Sequence, residues 1–198
     1  MDGFPNVDIN GYEQIRDTIK TGDLLFASGN SLMSTMIKGA TNSVWSHIAF
    51  IVRLEAIDRI MVMESVETLG VRTVPLSNYI RNYNGSGQGY PGRLMLARHQ
   101  SFPKDSLANL SKQAVDLLGY PYDTEEILKI AARIGMSAFG FDKTSPEVIS
   151  QHAFICSEYV FICYKSVGIT INYNPKGFIA PADFASSPKV KPLSYIVS

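Results

Sequence analysis

Covalent chemistry in this chain would fall to few residues. Two cysteines occur, Cys156 in FICSEYV and Cys163 in FICYKS, together with three histidines, His47, His99 and His152. A thiolate nucleophile needs a base and a group that orients the base, and the fold can bring these together from distant parts of the sequence. Cys156 stands where a helix is expected to begin, after the extended-looking run HAFI. A helix start offers unpaired N–H groups and a positive dipole end, which favour a thiolate and can hold an oxyanion. Cys163 lies two turns further along the same apolar segment and reads as a small core residue. At about 1.5 Å rise per residue the two sit roughly 10 Å apart along the helix, too far for a disulfide, so both are expected as free thiols. His152 precedes Cys156 by one helical turn, a spacing that could hold a metal, yet no second Cys or His pair completes a ligand set. No metal and no cofactor are therefore expected, and His99 reads as a strand-end surface residue.

The base is sought in WSHIAFIV, whose alternation puts Trp45, His47, Ala49 and Ile51 on one face of a strand. If the following strand returns as a hairpin with an even number of residues between Leu54 and Arg59, Glu64 comes directly or diagonally opposite His47 on that face. A carboxylate there would fix the imidazole tautomer, favour the imidazolium and turn the other ring nitrogen toward a nucleophile. An odd connection would instead send Glu64 to the far face, leaving Glu67 or another polar residue as the orienting group.

The elements that must position these groups divide into a strand-rich half and a helical half sharing one core. Tyr12 to Ile19 reads as a short helix, Asp23 to Ala27 as a strand, and Ser31 to Lys38 as a capped helix closed by Gly39. Trp45 to Leu54, Ile60 to Ser65, Val71 to Val74 and Arg93 to Arg98 follow as strands. NYNGSGQGYPG, at 82–92, lacks the strand-to-helix setting of a phosphate loop and reads as a surface loop. Leu107 to Leu118, stopped by Gly119, and Thr124 to Gly135 show helical apolar spacing. SEYVFICYKS continues the helix from Cys156 to Gly168, and Ile169 to Tyr173 is a candidate further strand. Glu158, in the first turn, suits a capping or ion-pairing role.

Composition narrows the partners. The chain has 198 residues, 45% hydrophobic and 18% charged, enough to bury a full core. Lys and Arg equal Asp and Glu at 18 each, with no basic run, so neither nucleic acid nor an anionic membrane surface is an expected partner. No stretch reaches the roughly 18 apolar residues of a membrane span, and MDGFPNVDINGYEQIRD lacks the basic start and apolar core of a signal peptide. A cytoplasmic product, without stable membrane insertion, is expected unless a partner exports it.

In order, TGDLLF, WSHIAFIV, VMESVETLGVRTVPL, LLGYPYD, FICSEYV and IAPADF resemble the circularly permuted, papain-like NlpC superfamily, in particular its YiiX-like branch, where a His, an acidic residue and a Cys occur in that order. The resemblance spans roughly residues 20–187. It implies an α+β, permuted papain-like fold with an antiparallel sheet or partial barrel packed against helices. It also implies a single domain over residues 1–198, with 1–20 as an N-terminal extension and 20–187 as the hydrolase core. By the same likeness Cys156 is the nucleophile, His47 its base and Glu64, favoured over Glu67, the orienting acid. Tyr122 of GYPYD lines the substrate cleft, and Gly22 and Asp23 hold the opening strand. The segment from Asp123 to Gln151, where the family varies most, shapes the pocket.

The implied function is hydrolysis of an amide or peptide bond through a Cys-His-Glu triad and an acyl-enzyme. The lecithin:retinol acyltransferase relatives share the His-before-Cys order and make lipid ester hydrolysis or acyl transfer the alternative. A catalytically silent peptide- or lipid-binding module is the third reading. The expected substrate is accordingly a peptide, a peptidoglycan fragment or a lipid-derived acyl compound.

Overall fold

The computed structural model describes residues 4, 7–127, 129–130, 152–174 and 177–197. Its strands are β1 (Ile9–Gly11), β2 (Asp23–Ser28), β3 (His47–Leu54), β4 (Arg59–Val66), β5 (Gly70–Pro75), β6 (Arg93–His99) and β7 (Val190–Val197). They form one open, seven-stranded sheet in the order β1-β7-β6-β2-β3-β4-β5. All neighbours are antiparallel except β1, which runs parallel to β7. The sheet is thus mixed and unclosed, and residues 9–11, expected in an extension, form one of its edges. The helices are α1 (Tyr12–Ile15), α2 (Leu32–Thr41), α3 (Leu76–Arg81), α4 (Leu107–Asp116), α5 (Cys156–Lys165) and α6 (Pro181–Ser186). The architecture is α+β, and among the described residues no helix is long and apolar enough to cross a membrane.

Alternation along the central strands builds two cores. Leu24, Phe26, Ile48, Phe50, Met63 and Met95 face α5, whose Tyr159, Val160, Cys163 and Tyr164 are all buried. Leu25, Ala49, Ile51, Val62 and Leu96 face the opposite way, against Tyr12 and the α3 residues Leu76, Tyr79 and Ile80. A helix apolar on nearly every side, as α5 is, belongs inside the molecule. Its two tyrosines stay satisfied there because Tyr159 donates to the Ala114 carbonyl at 3.0 Å and Tyr164 to that of Gly22 at 2.6 Å. Gly22 holds φ +86°, and a Cβ there would meet the Phe102 ring at 2.7 Å. Asp23 beside it is buried and takes Arg98 Nε at 2.6 Å and Nη2 at 2.8 Å. Both therefore have the structural roles expected of them.

Several local expectations need correction. The second helix runs past Gly39 to Thr41 and ends at Asn42, which takes the left-handed conformation. The alternation assigned to Trp45 fails because the ladder begins at His47; Trp45 turns into the α5-side core against Phe26. Ile169 to Tyr173 forms no strand: Ile169 and Ile171 are buried apolar anchors of an irregular segment. His99 is not a surface residue but is 3% exposed, beside the Tyr164 ring. His152 precedes the helix rather than sharing its face with Cys156, and no strand forms at HAFI. Of the helix expected from Thr124 to Gly135, residues 124–127 and 129–130 are helical, and 131–135 lie outside the described residues. The variable segment ending at Gln151 lies largely outside them as well.

Candidate active site

β3 and β4 join through residues 55–58, an even number, with Leu54 opposite Arg59 and Phe50 opposite Met63. Extending that register one residue sets Glu64 across from Ala49 and diagonal to His47 on the same face. The ladder between the two strands stops at Phe50 and Met63. Beyond it, Ser65 turns from β3 and donates its hydroxyl to the Phe154 carbonyl at 2.6 Å, docking the approach to α5 against the end of β4. This parting of the strands lets His47 reach a carboxylate on the α3 side of the sheet and a thiol on the α5 side.

His47 Nε2 donates to Glu64 Oε2 at 2.8 Å, so the ring nitrogen that remains, Nδ1, is the one available to the Cys156 thiol within hydrogen-bonding reach. Glu64 is wholly buried, and each of its oxygens is held. Arg72 Nε donates to Oε1 at 2.8 Å, and the Tyr79 hydroxyl donates to Oε2 alongside His47. Burial alone would push the Glu64 carboxyl up, but the His47 bond and charge, with Arg72 and Tyr79, hold it below its usual value. Burial likewise works against the imidazolium. The interactions of the ring with Cys156 and with Glu64 outweigh it, raising His47 from 6.5 to about 10. Tyr79 is driven up by burial and by the adjacent carboxylate, so it stays a neutral donor.

Cys156 opens α5 at its first turn, where the N–H groups of Cys156 and Ser157 have no intrahelical carbonyl to meet. Glu158 turns back to accept the Ile155 N–H at 3.2 Å, the expected capping role. Ser157 donates to the Ile179 carbonyl at 2.8 Å and so ties the segment before α6 to the nucleophile's helix. Cys163 is fully buried beside Tyr159, and its thiol is pushed up by desolvation, as suits a core residue.

The Cys156 side chain borders two adjoining cavities. One, of about 360 Å³, is walled by apolar side chains from α2, by Ile127 and Ile130, and by residues 178–181, including Met36 and Phe178. The other, of about 220 Å³, contains His47, Ser46, Ser34, Glu67, Tyr83 and Tyr90. Tyr122 borders both. Among the described residues no group of three or more His, Cys, Asp or Glu side chains converges in a metal-holding arrangement.

Sequence reasoning brought out Cys156, His47, Glu64 and Tyr122, and it missed the second tier. Arg72 could have been found: the short turn after β4 pairs Glu64 with Arg72 across the next hairpin, an opposite-charge pair. Tyr79 carried no comparable signal, because α3 is six residues long. The Gly-rich loop expected to be mere surface supplies Tyr83 and Tyr90, whose rings pack against Tyr79 at 5.0 and 5.7 Å. Its Asn84 also accepts from Arg72 Nη1 at 3.2 Å.

No curated protein sequence matches the chain. A crystal structure described as the metalloprotein yiiX from Escherichia coli O157:H7 (DUF1105) is 19% identical, with a TM-score of 0.64, and the match covers 91% of this chain and 99% of that one. At that identity the likeness speaks to the fold. Residues 18–191, nearly the whole described core, match the family described as permuted papain-like amidase enzyme, YaeF/YiiX, C92 family, and the chain belongs to that family.

Proposed function

We propose that this protein hydrolyses an amide bond through an acyl-enzyme on Cys156, with His47 as the proton carrier and Glu64 as its orienting partner. The reading is carried by one arrangement: a buried carboxylate, doubly anchored, holds Nε2 of an imidazole whose other nitrogen meets a thiol at a helix start. In the first step Sγ attacks the carbonyl carbon, and the oxygen takes up negative charge beside the N–H groups of the first turn of α5. The C–N bond then breaks, and the imidazolium gives its proton to the departing amine. Water, deprotonated by the neutral imidazole, attacks the thioester, forming the acid and returning the thiol. Glu64 keeps the ring in one orientation and favours the cation throughout, without taking the proton itself.

Turnover of a panel of simple N-acyl amides by wild type, Cys156→Ala and His47→Ala tests this. Amide cleavage by wild type, lost by about 10²-fold or more in each variant while both stay folded, is the expected result. Cleavage only of phospholipid esters, or transfer of the acyl group to an added amine in place of water, would assign the same thiol to lipid chemistry. No turnover, with Cys156 inert to acylating reagents, would leave a binding module.

A further inference from the structure

His47 has two opposite tasks in one catalytic cycle: it holds a proton for the departing amine, and it must be free of one when water attacks the thioester. In the resting site burial opposes the imidazolium, and the interactions with Cys156 and then with Glu64 outweigh it. Acylation turns the sulfur into a neutral thioester and removes the first of these. Glu64 remains at 2.8 Å and still favours the cation. A buried carboxylate beside a neutral ring draws a proton back into the site, which leaves no base for water. Resting on the hydrolase reading above, we infer that Arg72 is a positioning residue for the second half of the reaction. Its fixed charge on Glu64 lowers the proton affinity of the His47–Glu64 pair, so that the imidazole of the acyl-enzyme is neutral. Nδ1 then takes a proton from water as the new C–O bond forms, the C–S bond breaks, and the thiolate returns beside an imidazolium.

The surroundings of the pair single out this residue. Arg72 lies directly opposite Glu64 in the β4–β5 ladder, and its Nε donates at 2.8 Å to Oε1, the oxygen that His47 does not use. His47 meets Glu64 from β4 and Cys156 from α5. Glu64 meets His47 from β3, Arg72 from β5, Tyr79 from α3 and, through its field, Tyr83 of the Gly-rich loop. Burial and the carboxylate push both tyrosine hydroxyls up, so neither brings a charge of its own. Of these groups only Arg72 stays positive whatever the state of His47, because a guanidinium does not give up its proton. It is also held in place. Asn84 accepts from Nη1 at 3.2 Å, and its left-handed backbone, φ +52°, is one that asparagine tolerates. A guanidinium spans Oε1 and Asn84 together, and the Gly-rich loop thereby becomes part of the proton machinery.

Two readouts test this. Brief treatment with p-nitrophenyl acetate and rapid desalting give the acetyl-enzyme, whose decay is followed by mass spectrometry across the range from about pH 5 to about pH 9. Decay should quicken with pH as His47 loses its proton. Arg72→Gln keeps a donor for Oε1 but no charge, so its midpoint should lie higher by about one pH unit or more, slowing acetyl loss about tenfold below that midpoint. Arg72→Lys keeps the charge and should leave the midpoint within about 0.3 unit of wild type. Asn84→Gly, at a backbone conformation that glycine adopts freely, frees the guanidinium and should raise the midpoint by a smaller amount. A folded Arg72→Gln that is slowed equally at every pH, with the wild-type midpoint, overturns the inference. If Arg72→Gln does not fold, a wild-type midpoint in Asn84→Gly does the same. The second readout needs no acyl group. In Cys156→Ala, which like the thioester has no ionisable thiol, the His47 ring nitrogens are titrated by NMR, their signals identified by loss in His47→Gln. Adding Arg72→Gln should raise that midpoint by about one unit as well. If no acetyl group forms on Cys156 the hydrolase reading falls, and a raised His47 midpoint still upholds the role of Arg72. An unchanged midpoint overturns it, even if amides are cleaved.

Discussion

Two cysteines with the same side chain occupy opposite chemical settings. Cys156 borders the cleft and faces His47, whereas Cys163 is packed in the core with its thiol pushed up by burial. Brief iodoacetamide treatment at neutral pH should therefore modify Cys156 at least about tenfold faster than Cys163 and abolish turnover in step. Peptide mapping checks this, and equal labelling would contradict it. Glu64 and Glu67 form a second contrast, since one is buried on His47 and the other lines the polar side of the cleft. Activity should fall in the order wild type, Glu64→Gln, Glu64→Ala, because the amide keeps a contact but drops the charge, with Glu67→Ala above both Glu64 variants. His47 gives the pH signature. Its folded value near 10 lies above its ordinary 6.5, so protonation stabilises the fold fully below about 6.5 and that contribution is lost as pH rises through about 10. The melting temperature of wild type should drop between pH 7 and pH 10 by more than that of His47→Gln, and parallel curves would refute the coupling.

Elements were legible in the sequence where one residue pattern met one environment. The β3–β4 hairpin is the clearest case: alternation gave the faces, and the even connection placed Glu64 with His47. The start of α5 at Cys156 was equally readable, from an extended approach, a capping Glu158 and an apolar helix. β7 was hidden by Pro192, which looks like a strand breaker but sits where the ladder with β6 shifts register between Leu96 and Ala97. Ile169 to Tyr173 failed the other way, since its apolar residues serve burial without a ladder. The turn from β4 to β5 carries a testable constraint. Gly70 holds φ +68°, and a Cβ there would come within 2.1 Å of the Tyr120 carbonyl oxygen, which already accepts the Val71 N–H at 2.8 Å. Gly70→Ala should thus destabilise the protein by about 2 kcal/mol or more in chemical denaturation and weaken the LLGYPYD segment that carries Tyr122. A stability within error of wild type would show that the two segments can separate freely.

At the scale of the molecule, the site is a junction between the two cores. Glu64 and Tyr79 belong to the α3 side of the sheet, Cys156 to the α5 side, and His47 joins them where β3 and β4 part. Local patterns predicted which residues carry chemistry, but the anchoring of Glu64 by Tyr79, and the tyrosines behind it, depends on how a short helix and a Gly-rich loop fold over the sheet. Those contacts join residues with no shared periodicity, so the sequence held no pattern for them. The division of the cleft is of the same kind, arising from α2, Ile127, Ile130 and residues 178–181 meeting around one sulfur. The central claim, that this junction delivers an acyl group to Cys156, is tested most directly by pulsing the protein with p-nitrophenyl acetate, quenching in acid and locating the adduct by mass spectrometry. The account predicts a single acetyl group on Cys156 in wild type, formed far more slowly in His47→Ala and absent from Cys156→Ala. An acetyl group on Cys163, or p-nitrophenol release by Cys156→Ala at the wild-type rate, would contradict it.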